Sequence, residues 1–131
     1  MMTAQIPANK PRILIVDDEE LFLKSAERNL RRRYHCSLAL GGFQALSILK
    51  EDHNFDIIMS DMRMPKMSGI ELLQHCKVNY PDIVRIMLTG NIEERTKQEA
   101  SECCEVFSML NKPCDMPTLI ETVERAIASR Y

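Results

Sequence analysis

Apolar runs in this chain end on polar groups. "ILIV" leads into Asp17 and Asp18, "DIIMS" into Asp61, "IVRIML" into Thr89, and "VFSML" into Asn111 and Lys112. If the runs are neighbouring strands, these carboxylates, the hydroxyl and the ammonium meet at one edge. Three carboxylates about 4 Å apart repel by roughly 4 kcal/mol per pair at an effective dielectric near 20. Either some of them hold a proton, or a cation sits among them. Oxygen ligands at a partly open site suit Mg²⁺, which keeps several of its waters. With Lys112 and Thr89 alongside, one carboxylate has a cradle for a phosphoryl group. It could act as the nucleophile that forms an aspartyl phosphate.

The elements that must position these groups follow from periodicity. Five short, β-rich runs are expected as strands: Arg12–Val16, Cys36–Leu40, Asp56–Ser60, Ile83–Leu88 and Val106–Leu110. Helix-period segments lie between and after them. Phe22, Leu23, Ala26 and Leu30 mark the first, Leu119, Ile120, Val123 and Ile127 the last. Ser68 with Glu71 has capping-box spacing, Asn91 with Glu94 resembles it, and Asp115 with Pro117 can start the last helix. Strands alternating with helices imply right-handed crossovers and a parallel sheet covered on both faces. Ligands then bind outside the carboxyl ends of the strands.

Composition sets the bounds. A chain of 131 residues fits one compact domain, and 45% hydrophobic residues suffice for a core. The net charge of −2 carries no nucleic-acid footprint. Five cysteines without a CxxC pair indicate reduced thiols in a cytoplasmic protein. No apolar run is long enough to span a membrane. Residues 1–11 lack a signal-peptide core and are expected to form a disordered arm; residues 12–129 form the domain, and 130–131 a tail or the start of a linker.

"ILIVDDEE", "IIMSDMRMPKMSGIELL", "IMLTG" and "LNKP" together resemble the receiver domain of two-component response regulators, over about residues 12–129. The resemblance implies a flavodoxin-like α/β fold, doubly wound, with a five-stranded parallel sheet in the order 2-1-3-4-5. It implies Asp61 as the phosphoacceptor and Mg²⁺ as the cofactor. Asp18 and Asp61 would be metal ligands, with Asp17 acting through water and Arg63 through its backbone carbonyl. Thr89 and Lys112 would bind the phosphoryl oxygens, and Pro113 would follow a cis peptide. A sensor histidine kinase would be the donor. A C-terminal output domain, a downstream effector or a second copy would receive the signal.

Plainer readings exist for the same residues. Asp17 and Asp18 could cap the first helix, and Thr89-Gly90 could be a simple turn. The methionines fit flexible core filling, and Cys103-Cys104 the end of a helix. A degenerate receiver acting as an unphosphorylated interaction or dimerisation module is an alternative function. An aspartate-nucleophile phosphatase would need a second Asp two residues after the acceptor. Arg63 stands there, so the chain is expected to signal rather than to act as an enzyme. One departure concerns the switch. The family usually carries Tyr or Phe three residues before the lysine, and this sequence has Met109, with Phe107 as the nearest ring and expected on the same strand face.

Overall fold

The computed structural model describes residues 10–90 and 92–130. Five strands and five helices alternate without exception. They are β1 (Arg12–Asp17), α1 (Glu20–Leu30), β2 (His35–Leu40), α2 (Gly42–Glu51), β3 (Ile57–Asp61), α3 (Gly69–Asn79), β4 (Val84–Thr89), α4 (Glu94–Cys104), β5 (Ser108–Asn111) and α5 (Met116–Arg130). The strands form one parallel sheet in the expected order β2-β1-β3-β4-β5. The chain therefore has the doubly wound, flavodoxin-like receiver fold. The expected N-terminal arm lies mostly outside the described residues.

Alternation along the strands splits the core in two. Ile13, Ile15, Ile57, Met59, Ile86 and Leu88 pack with Leu23, Ala26, Leu119 and Val123 of α1 and α5. Leu14, Val16, Ile58 and Met87 pack with Ala45, Leu49, Leu72 and Cys76 on the other face. Each central strand is buried on both sides, which is why its sequence is a continuous apolar run rather than an alternating one.

Several boundaries differ from the sequence reading, in a way that matters for the site. Asp17, Asp61 and Thr89 do not follow their strands. They occupy the last rungs, opposite Leu40, Leu88 and Asn111 respectively. β5 starts at Ser108 rather than Val106. Glu105 adopts a left-handed conformation that ends α4, and the Val106 N–H still bonds back to the Ser101 carbonyl. α5 continues through Arg130. That side chain donates to the Asp82 carbonyl at 2.6 Å and pairs with the Asp56 carboxylate.

Side-chain caps fix two of the helix starts. The Ser68–Glu71 capping box is formed in both directions, and Asp115 accepts from the Thr118 N–H at 2.8 Å. α4 is different. It begins at Glu94, not directly after Asn91 as the Asn91–Glu94 spacing implied, and its N-cap Glu93 makes no side-chain bond. The Asn91 half of the expected capping box lies outside the described residues. The other end of α4 is held firmly. Arg85, only 7% exposed, donates to the carbonyls of Cys104 (2.8 Å), Ile83 (2.8 Å), Pro81 and Glu105 (3.3 Å each). Lys77 adds a bond to the Cys103 carbonyl. Among the described residues no carboxylate pairs with Arg85. The partial negative charge of the helix C-terminus takes that place.

Candidate functional site

The carboxyl ends of β1 and β3 bring Asp17, Asp18 and Asp61 together. One carboxylate oxygen from each lies within 4.8 Å of the others. β5 ends one residue before Lys112, whose N–H donates to the Thr89 carbonyl at 2.7 Å and so keeps the side chain at this edge. The Lys112 Nζ is 2.8 Å from Asp17 Oδ2 and 3.6 Å from Asp61 Oδ2. It also lies 3.6 Å from Glu19 Oε1 and 4.7 Å from the centre of the Phe22 ring. The Lys112–Pro113 peptide is cis.

The electrostatics follow from burial. Asp17 is fully buried and Asp61 is 9% exposed. Desolvation pushes both carboxyls above their ordinary range, and the Lys112 charge only partly opposes it. For Asp61, the charges of Asp17 and Asp18 push further upward. Burial pulls the Lys112 ammonium down, but Asp17, Asp61 and Glu19 outweigh it, and the net shift is upward. Asp18 is exposed at the mouth. The plain capping reading of this pair is met only in part. Asp17 Oδ1 accepts from the Glu19 N–H at 2.9 Å while its other oxygen holds Lys112.

Thr89 is near the acidic cluster in the sheet but does not join it by a hydrogen bond. Its hydroxyl is buried and donates to the Met62 Sδ at 3.5 Å, a weak acceptor, with the Gly90 carbonyl equally distant. Asp61 continues the face of Ile57 and Met59, while Thr89 continues that of Met87. Thr89 is therefore turned toward the α3–α4 side. Met109 is half-buried against that same core. Phe107 does not share its setting. It precedes the strand and lies under the Arg125 guanidinium of α5, at 5.8 Å. Arg63 is exposed and lines an open cleft of about 480 Å³ with Ile92, Glu93 and Thr96 at the start of α4.

Two residues escaped the sequence reading. Gly69 opens α3 with its N–H bonded to the Met62 carbonyl, so close to β3 that a Cβ there would stand 2.0 Å from the Asp61 carbonyl oxygen. Only glycine lets the helix approach the acceptor strand this closely. Its signal was the Ser-Gly pair at the capping box. Phe22 was read as core alone, because nothing in its spacing announces a lysine ninety residues later.

The doubly wound parallel sheet thus carries an acidic cluster and a lysine at its carboxyl edge. The family model for the response regulator receiver domain matches residues 13–124, and the chain belongs to that family. It is 34% identical over 125 residues to the regulatory protein AtoC of Escherichia coli, covering 88% of this chain and 25% of AtoC. It is equally identical over 117 residues to the transcriptional regulatory protein ZraR of Salmonella typhimurium, covering 88% and 26%. The chain thus spans about a quarter of the length of these relatives. A solved chain of an adenylate cyclase from Rhodopirellula baltica superposes with a TM-score of 0.87 at 37% identity, covering 92% of this chain and 90% of that one. The receiver domain of an HD domain-containing protein from Pseudomonas fluorescens superposes with a TM-score of 0.86 at 29% identity, covering 93% and 98%. No helix among the described residues is long and apolar enough to cross a membrane.

Proposed function

We propose that this receiver domain takes one phosphoryl group onto the Asp61 carboxylate from a sensor histidine kinase in the cytoplasm, and passes the change on through α4 and the outer surface of β5. The observation that carries this reading is the convergence of Asp17, Asp18, Asp61 and Lys112 at one strand edge. The donor set fits a hard divalent cation, because it is all oxygen and partly open. Asp18 and Asp61 would hold Mg²⁺, with Asp17 through water and the Arg63 carbonyl completing the set. When bound, the ion neutralises the acidic cluster and draws charge from the transferring oxygens.

An Asp61 oxygen attacks phosphorus, forming a P–O bond as the P–N bond to the donor imidazole breaks. The Lys112 ammonium lies within reach of an oxygen on Asp61 and stabilises its added charge. The Thr89 hydroxyl turns from Met62 to a second oxygen, giving up little, because a thioether is a weak acceptor. Each charge-assisted bond is worth roughly 1.5–3 kcal/mol. Together, about 3–6 kcal/mol reaches the roughly 5.5 needed to take a 1:99 equilibrium to 99:1. This is an upper bound, since only bonds that the other state lacks shift the balance. An output domain, a separate effector or a second copy would read the displaced surface.

Incubation with a small phosphodonor and Mg²⁺ tests the acceptor. Intact mass should rise by one phosphoryl group, in a linkage that hydroxylamine cleaves. Equal labelling of Asp61→Asn, or of the wild type in excess chelator, would overturn the assignment.

A further inference from the structure

The Lys112 ammonium has a second seat outside the acceptor pair. Asp17 and Asp61 face it from the buried side, at 2.8 and 3.6 Å. Glu19 Oε1 reaches it from solvent, also at 3.6 Å, with a side chain 69% exposed. The Phe22 ring lies 4.7 Å away. Glu19 immediately precedes α1 and Phe22 stands in its first turn, and both reach the same ammonium. Glu19 is the N-cap residue of α1, yet its carboxylate makes no capping bond. The carboxylate is therefore free to hold the lysine.

We infer that Glu19 is a positioning residue that competes with a phosphoryl group for the Lys112 ammonium, and so weakens the hold of the site on that group. This rests on the reading of Asp61 as acceptor. A phosphoryl group on Asp61 brings three oxygens that need Nζ. To turn toward them, the ammonium must leave Glu19, which sits at the same distance as Asp61 does. Phe22 favours neither seat. Its ring attracts the cation wherever the head swings above it. An exposed ion pair is weak, which suits a residue that tunes an affinity without blocking it.

The test is the affinity for BeF₃⁻, formed from beryllium and fluoride, at saturating Mg²⁺, followed by amide NMR shifts. Glu19→Gln should bind about two- to fivefold more tightly, the scale of an exposed pair. Glu19→Asp keeps the charge but shortens the reach, and should behave like Glu19→Gln. In a Lys112→Gln background, Glu19→Gln should change nothing. Equal or weaker binding by Glu19→Gln overturns the inference. So does a Glu19→Asp variant that behaves like the wild type, which would mean direct repulsion of the anion. If the wild type does not bind BeF₃⁻ at all, the acceptor reading itself fails, and Glu19 has nothing to compete with.

Discussion

Burial makes Asp61 reluctant to ionise, and this has a measurable sign. Its folded-state pKa lies above the ordinary 3.8 because of desolvation and the neighbouring aspartates. A carboxyl raised in this way costs stability once both states are ionised, and the cost fades as pH falls through the folded pKa. Without Mg²⁺ at neutral pH, Asp61→Asn should therefore be more stable than the wild type by roughly 1 kcal/mol, or about 4 °C in Tm. The gap should close as pH falls toward 4 and the wild type takes up its proton. Mg²⁺ should reverse the order, since it stabilises only a site that binds it. Thermal melts over pH, with and without Mg²⁺, decide this. A destabilised apo Asp61→Asn would show that the Lys112 ion pair outweighs desolvation. The identities of these groups were legible in the sequence, because each ends an apolar run. Their burial was not. The runs were read as stopping one residue short, which left Asp17, Asp61 and Thr89 outside the sheet instead of in its last rungs.

At the scale of elements, α4 is held unevenly. Its first turn has no side-chain cap, and it buries only Ala100 and Cys104, both in its C-terminal half. Its last carbonyls accept from the buried Arg85. Arg85→Leu would leave those carbonyls and the helix dipole without their cation. An unsatisfied buried group costs about 1–3 kcal/mol, so a loss of roughly 2–3 kcal/mol in urea unfolding is expected. Hydrogen exchange should rise first around 101–106, while α1 and α5 keep their protection. Uniform loss across the domain would show that Arg85 supports the whole sheet. The weak docking of α4 was legible in "IEERTKQEASEC", a charged segment with a thin apolar face. The anchor was not, because an arginine inside "IVRIML" shows neither its burial nor a set of carbonyl partners from distant loops. Gly69 is the same kind of case. Its necessity comes from the Asp61 carbonyl opposite, which no local pattern reports.

At the scale of the whole molecule, the site and the candidate readout surface share one path. Thr89 stands on β4 facing the α3–α4 side, and Met109 fills the neighbouring space on β5. An unbranched thioether side chain can pack in either arrangement, so no ring has to flip. With BeF₃⁻ and Mg²⁺ bound, hydrogen exchange should change in the first turns of α4 and along β5. Met109→Tyr should still bind the mimic and keep that response. Protection changes confined to the loops at Asp18, Asp61 and Lys112 would remove α4 from the switch. So would loss of the response in Met109→Tyr together with unchanged mimic affinity, which would show that residue 109 decides the movement.

If α4 moves on phosphorylation, as proposed, the buried arginine at one end also sets what a partner would sense. A rod fixed at one end moves most at the other. With a rise of about 1.5 Å per residue, eleven residues make a lever of roughly 16 Å, so its tip travels about 0.3 Å for each degree of swing. A partner gripping near Glu94 would feel almost all of that travel, and one gripping near Cys104 almost none. Under the proposed switch, the pivot would make the helix a displacement amplifier, read at its loose end.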